Sequence, residues 1–392
     1  MEGNFIHVNK ALLPLSWLYG LGVRMRNLLF DVGLLRRKSF NIPVIAVGNI
    51  TVGGTGKTPH VEYLVRLLEK SFQVAVLSRG YKRKTSGYLE ATSESSPRDI
   101  GDEPTQMKQK FPEIVVAVDK KRTRGIERLM ADKPELAVVL LDDAFQHRYV
   151  KPGINILLVD FHRLIINDYL LPAGQLREPL NGKNRADIII VTKCPREQTP
   201  MDYRVLTKSM DLYPYQQLFF STMEYEDLTP VFSSESKKGL PTALAQLADY
   251  QVLLLSGIAS PRQLINDLEG VSSHLVPLTF SDHHDFTARD VERINNEFGA
   301  LSQPRCIVTT EKDAARLRHI DGLSPEVRRS MLCLPVRVSF LLNQEEKFNE
   351  TIIGYVRKNS RNSILAKAKD DYKSHDGYRF GNGSRTISFR NN

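Results

Sequence analysis

Three cysteines in 392 residues, Cys194, Cys306 and Cys333, are too few and too scattered for a disulfide framework or a thiolate metal site. They read as reduced core thiols of a cytosolic protein. No stretch reaches the roughly 18 apolar residues that a membrane span needs. The apolar run from Ala11 is interrupted by Arg24 and Arg26, and no small-residue cleavage site follows, so no signal peptide is expected. Internal repeats are absent. Acidic residues are outnumbered, 45 against 54 Lys and Arg, for a net charge of +9. That surplus suits nucleic acid, anionic lipid or phosphorylated substrates. No recognised nucleic-acid reader accompanies it, so no nucleic-acid partner is expected.

What is present suits an α/β protein. Apolar residues make up 41% and charged residues 25%, enough to bury the cores of two α/β domains. Leu13, Trp17, Leu21, Met25, Leu28, Val32 and Leu35 recur at steps of three or four, which predicts an amphipathic helix in residues 10–35. Arg36-Arg37-Lys38 follows at once, and a basic end on such a helix suits an anionic membrane interface. The same stripe would also suit a helix packed on its own domain. From Pro43 short apolar runs alternate with helical stretches: Val44–Val47, Gln73–Leu77, Ile114–Val118, Ala137–Leu141, Ile154–Val159 and Ile188–Val191 read as strands. This alternation predicts a mostly parallel sheet covered on both faces. Residues 229–240, rich in Ser, Lys, Pro and Gly, read as a linker or exposed loop. A second α/β pattern follows, with strands at Val252–Leu255, Cys306–Thr309 and Val336–Leu341. Apolar periodicity ends near Asn359, and a disordered tail is expected. The predicted division is a membrane-associated helix over 1–40, a P-loop-type nucleotide-binding core over 41–227, a smaller α/β domain over 228–358, and a tail over 359–392.

Chemistry concentrates at strand ends. Gly53-Gly54-Thr55-Gly56-Lys57-Thr58 follows a strand and opens a helix, the context of a phosphate loop. Glycines let backbone N–H groups converge on phosphate oxygens, and the helix N-terminus adds partial positive charge. Lys57 can reach the outer phosphates, and the Thr58 hydroxyl can ligate Mg²⁺. Thr51 stands where the strict pattern has glycine, and Val52 stands where a variant with paired glycines carries a signature lysine. Val138–Leu141 ends in Asp142-Asp143, the Walker B position, where one Asp can hold Mg²⁺. A strand-end turn would equally well place Asp there. Further polar clusters lie at or just beyond strand ends: Ser78-Arg79-Gly80-Tyr81, Gly101-Asp102-Glu103-Pro104, Phe145-Gln146-His147, Asp282-His283-His284 and Thr309-Thr310-Glu311-Lys312-Asp313. Open α/β sheets bind ligands on that edge.

In this order, together with Leu171-Pro172-Ala173-Gly174 and Arg177-Glu178-Pro179, these motifs resemble the tetraacyldisaccharide 4′-kinase family of the lipid A pathway. The resemblance covers about residues 10–355 and includes the hydroxyl residue at Thr51; Ala144 departs from a common glycine. It implies transfer of the ATP γ-phosphate to the 4′-hydroxyl of a tetraacylated glucosamine disaccharide 1-phosphate. Two α/β lobes with the active site between them are implied as well, and an N-terminal helix at the cytoplasmic face of the inner membrane. By this resemblance Asp102 is the base and His283 its partner. Residues 51–58 would hold ATP, with Thr51, Val52, Gly53, Gly54, Thr55 and Gly56 offering amides and Lys57 acting on the phosphates. Thr58, Asp142 and Gln146 would hold Mg²⁺, and Asp143, Glu178, Arg79 and Arg177 would serve metal or substrate positioning. The expected chain is a monomer. Two rivals remain: a GTPase or metallochaperone-type ATPase, and a non-catalytic nucleotide-binding scaffold. The first expects a lysine at position 52 and an Asn-Lys-x-Asp guanine reader; Val52 and Thr192-Lys193-Cys194-Pro195 fit neither. The second needs no acid–histidine pair.

Overall fold

A computed structural model describes residues 8–236, 239–259 and 261–376, with side chains through residue 360. Fourteen strands form among them. They are β1 (Val44–Gly48), β2 (Val74–Ser78), β3 (Leu89–Glu90), β4 (Val115–Val118), β5 (Val138–Leu141), β6 (Ile154–Asp160), β7 (Ile188–Thr192), β8 (Gln217–Tyr225), β9 (Thr229–Pro230), β10 (Gln251–Ser256), β11 (Leu275–Thr279), β12 (Arg305–Thr310), β13 (Met331–Leu334) and β14 (Val336–Phe340). The helices are α1 (Leu13–Asp31), α2 (Lys57–Leu68), α3 (Pro97–Ile100), α4 (Asp102–Lys110), α5 (Arg122–Asp132), α6 (Pro200–Met210), α7 (Arg262–Glu269), α8 (Ala288–Ala300), α9 (Glu311–Leu317), α10 (Pro325–Arg329) and α11 (Glu345–Asp376).

Strands β1, β2, β5 and β7 are buried from end to end, as continuous aliphatic runs require when helices cover both sheet faces. The first sheet has nine strands in the order β14-β8-β7-β6-β1-β5-β2-β4-β3. Its seven central strands are parallel, and both edges are antiparallel. β1 sits in the middle, in register with β5 through Ala46 and Leu141. That register delivers Asp142 and Asp143 beside the turn that leaves β1. The approach is close: a Cβ on Gly48 would lie 2.7 Å from the Cβ of Phe145. The second sheet, β11-β10-β12-β13-β9, is parallel except for β9.

Two boundaries differ from the expected ones. The segment 228–358 is not one unit, because β14 returns to the first sheet and pairs antiparallel with β8, Val338 opposite Met223. Helix α11 then packs Phe348, Ile352 and Val356 into the first core. Alternation in residues 336–340 marks a strand but carries no information on which sheet it joins. Helix α11 also continues through the first part of the expected tail, to Asp376. Residues 361–376 include Leu365-Ala366-Lys367-Ala368-Lys369 and lack Gly and Pro, so propensity sustains a helix without an apolar face. The rest of the expected tail, 377–392, lies outside the described residues.

Helix α1 docks by a narrow seam, Ser16 and Gly20 near its start and Phe30 near its end, where the ring packs against Tyr149 and Arg148. Ser16 Oγ donates to Leu170 O at 3.0 Å and accepts from Ala173 N–H at 2.9 Å. A Cβ on Gly20 would already meet Leu170 at 2.7 Å. The stripe that predicted the helix faces solvent instead: Trp17 is 73% exposed and Leu21 64%, with Met25, Leu28 and Val32 beside them. No helix among the described residues is long and apolar enough to cross a membrane. All three cysteines are buried and unpaired, and burial pushes their thiols up to about 12.

Candidate active site

The turn after β1 is held from three sides before it opens α2. Val52 N–H donates to Gln175 O at 2.8 Å, and Arg177 N–H to Ile50 O at 2.7 Å. Thr192 Oγ1, at the end of β7, donates to Thr55 O at 3.0 Å. His60 Nδ1 donates to Gly56 O at 2.7 Å, while Ser221 Oγ on β8 donates to His60 Nε2 at 3.0 Å. Asn49 lies inside the loop, its Nδ2 donating to Thr55 Oγ1 at 3.0 Å and its Oδ1 accepting from Lys57 Nζ at 3.5 Å. Gly53 and Gly56 hold positive φ of 116° and 79°, and Gly56 caps α2 in the left-handed region, where a side chain would be strained. Thr58 sits in the first turn of that helix, half-buried. Val52, Gly53 and Gly54 are exposed.

Beside the loop, Lys57 Nζ stands 3.7 Å from Asp143, and Arg177 approaches the same carboxylate at 3.5 Å. Burial works to raise the Asp143 carboxyl, but Lys57 and Arg177 outweigh it and hold it below its ordinary value. Asp142 behaves oppositely: burial, then the Asp143 charge, pushes it up to about 6. Its Oδ2 accepts a hydrogen bond from Ser78 Oγ at 3.4 Å, and its Oδ1 is buried without a partner. A buried orphan oxygen beside a phosphate loop suits a cation ligand. Gln146 spends its Nε2 on Asn49 O at 2.5 Å, which leaves its amide oxygen for a ligand.

The second cluster joins the two lobes. Gly101, at φ 96°, caps α4 and leaves Asp102 as the first helical residue. A Cβ on Gly101 would lie 2.9 Å from Tyr81 O and 3.2 Å from Gly80, which accounts for glycine in both turns. Asp102 Oδ2 accepts from His283 Nδ1 at 2.7 Å and from Arg316 Nη2 at 2.5 Å. Both donors sit on Oδ2, which leaves Oδ1 open to a further donor. Burial opposes ionisation of Asp102, but His283 and Arg316 prevail and hold its carboxyl far below the usual range. His283 itself takes φ 55°. Its Nε2 faces Lys312 Nζ at 3.0 Å; because ammonium only donates, Nε2 accepts and Nδ1 carries the proton toward Asp102. Oxygens of Asp102 and Glu103 and a ring nitrogen of His283 fall within 4.8 Å of one another, as a metal site would require. Arg316 and Lys312 already occupy them, so the cluster reads as an ion-paired acid–histidine couple. The two clusters are neighbours, since the Glu103 charge reaches Asp142 and raises it.

The structure thus gathers Lys57, Asp142, Asp143, Gln146 and Arg177 around the loop, and Asp102 with His283 across from it. Glu178 turns away to Arg185 at 2.8 Å, with its other oxygen buried and unpartnered. Arg79 is exposed, with no hydrogen-bond or ion-pair partner among the described residues. Sequence reading missed Asn49 and Arg316 as site residues. Arg316 was accessible in principle: it lies four residues after Lys312 on a helix, hence on the same face. Arg122 was not: it is buried and donates to Asp142 O at 2.9 Å, and no local pattern marks it.

Comparison with known proteins gives concordant results. The family model described as "Tetraacyldisaccharide-1-P 4'-kinase" matches residues 8–357. The tetraacyldisaccharide 4'-kinase of Phocaeicola vulgatus is 57% identical over 367 residues, covering 93% of this chain and 99% of that one. That of Bacteroides thetaiotaomicron is 52% identical over 380 residues, covering 95% and 100%. A solved structure of LpxK from Aquifex aeolicus, described as an "apo" form in complex with ATP, superposes with a TM-score of 0.67 at 30% identity, covering 88% of this chain and 98% of that one.

Proposed function

Because the chain belongs to the tetraacyldisaccharide-1-P 4'-kinase family, we propose that it moves the γ-phosphoryl group of ATP to the 4′-hydroxyl of a tetraacylated glucosamine disaccharide 1-phosphate, a step of lipid A biosynthesis. The amides of residues 51–56 and the Lys57 ammonium hold the β- and γ-phosphates. Thr58, Asp142 and Gln146 are the residues that would hold Mg²⁺, which when bound neutralises phosphate charge. Asp102 takes the acceptor proton through its free Oδ1, while His283, donating from Nδ1 to Oδ2, orients the carboxylate. Asp143, itself paired with Arg177, steadies Lys57, and Arg79, directly after β2, offers an unpaired cation for substrate positioning. Glu178, tied to Arg185, braces the loop that carries Arg177. The observation that carries this reading is the 2.7 Å contact between Asp102 and His283, 181 residues apart and drawn from different lobes. A switch or scaffold has no use for such a pair.

The exposed face of α1, with Arg24 and the basic run 36–38, supports peripheral or monotopic seating of a monomer on the cytoplasmic face of the bacterial inner membrane. Tyr19 Oη donates to Arg177 O at 2.8 Å and Arg26 Nη2 to Gln146 O at 2.9 Å, so the membrane-facing helix also touches the site. The test is transfer of ³²P from γ-labelled ATP to tetraacyldisaccharide 1-phosphate in mixed micelles. A labelled 4′-phosphate product is expected from the wild type and a loss of about two orders of magnitude or more from Lys57→Ala. Absence of transfer by the wild type, or unchanged kinetics in Lys57→Ala, overturns the assignment.

A further inference from the structure

Two short links join the lobes: residues 226–228 between β8 and β9, and Pro335 between β13 and β14. They are bonded to each other, Glu226 N–H donating to Pro335 O at 2.9 Å. Both are also tied to α2. Arg66 grips Glu226 with two hydrogen bonds, 2.8 and 3.0 Å. One turn earlier, the buried Glu62 accepts from Gln106 Nε2 at 2.7 Å and from Lys110 Nζ at 2.5 Å. The same Lys110 nitrogen donates to Glu311 Oε1 at 2.5 Å, and Glu311 Oε2 accepts from Val336 N–H at 3.2 Å. A carboxylate–ammonium–carboxylate chain therefore runs from α2 through α4 to α9 and the second link.

These are the three helices whose other residues furnish the site. Lys57 opens α2, Asp102 opens α4, and Lys312 and Arg316 lie on α9. Helices this short are stiff, so fixing one point on each fixes the reacting groups a turn or two away, roughly 7–12 Å at 1.5 Å per residue. We propose that Lys110, with Glu62 and Glu311, is a positioning residue for phosphoryl transfer, setting the angle between the lobes at which the nucleotide loop, Asp102 and His283 meet. The proposal rests on the transfer reading above. Its physical basis is charge: Lys110 is the cation between two largely buried acids, and burial, with the Glu311 charge adding to it, raises Glu62 above the usual carboxylate range. Without Lys110 the cation that links the two acids is gone: either their charges repel or one takes up a proton, and in both cases the bridge across the lobe interface is broken.

Three variants and two readouts test it: steady-state transfer, and affinity for a non-hydrolysable ATP analogue. Lys110→Met should lower kcat about tenfold or more while the analogue Kd stays within about threefold. Adding Glu311→Gln removes the second acid and supplies an amide that can donate to Glu62, and should recover at least about half of that loss on a logarithmic scale. Lys110→Arg, which keeps the charge, should stay within about threefold of wild type. Unchanged kcat in Lys110→Met, or a loss that Glu311→Gln does not relieve, overturns the proposal. Should Lys110→Met not fold, Glu311→Gln alone serves: a lower kcat at unchanged analogue affinity supports the proposal, and an unchanged kcat overturns it. An inactive wild type would sink the transfer reading; an active wild type with an indifferent Lys110→Met sinks only this one.

Discussion

At the scale of residues, Asp142 shows stability and activity opposed. Its carboxylate is buried beside Asp143, one oxygen has no partner, and its pKa rises to about 6. A raised carboxyl favours the folded state only while protonated. Its stabilisation is therefore complete below about pH 4 and is lost as pH climbs through about 6, at most about 3 kcal/mol for a shift of two units. Asp142→Asn should then stabilise the metal-free protein at pH 8 by about 1–3 kcal/mol, a rise of a few degrees in Tm, and abolish transfer. A lower Tm in calorimetry would contradict this. Residue chemistry was only partly legible in the sequence. The phosphate loop and the acidic strand end follow from spacing and strand context. The pairing of Asp102 with His283 does not: 181 residues separate them, and only the ordered motifs of a known family suggested it. Spacing places Arg316 on the face of Lys312, but not its partner Asp102, which lies on the other lobe.

At the scale of elements, α1 carried a correct periodicity that served a different face. A 3.6-residue stripe predicts a helix and an apolar side, but not what that side meets. The seam that binds α1 to the protein is made of Ser16, Gly20, the Arg148–Asn27 contact at 3.0 Å and Phe30, none of which belongs to the predicted stripe. The apolar stripe is left outward, next to basic side chains. Trp17→Ala with Leu21→Ala should leave the fold and the micellar turnover of a short-chain substrate intact. It should weaken co-sedimentation with vesicles containing anionic lipid by about 3 kcal/mol, roughly a hundredfold. Equal vesicle binding by variant and wild type would remove the membrane role of this face. β14 and α11 teach the complementary lesson. The strand β14 was readable from alternation, while α11 was not predicted; the place of β14 in the first sheet depends on pairing with β8 far upstream, and α11 follows it into the first core.

At the scale of the whole molecule, the two sheets were legible because strand and helix alternate, but the shape of the chemistry was not. The chain leaves the first sheet after β8, builds the second, and returns as β14, so both links sit side by side and act on α2. Such a hinge lets one lobe bring Asp102 and the loop while the other brings His283, Lys312 and Arg316. The central claim is that these groups act as one unit across the lobes. A double-mutant cycle on Asp102→Ala and His283→Ala, read as kcat with ATP-analogue affinity alongside, tests it most directly. Each single change should lower kcat by about two orders of magnitude or more, the double variant should be about as slow as the slower single, and analogue affinity should stay within about threefold. Losses that multiply in the double variant, or an analogue affinity that falls in step with kcat, would contradict the account.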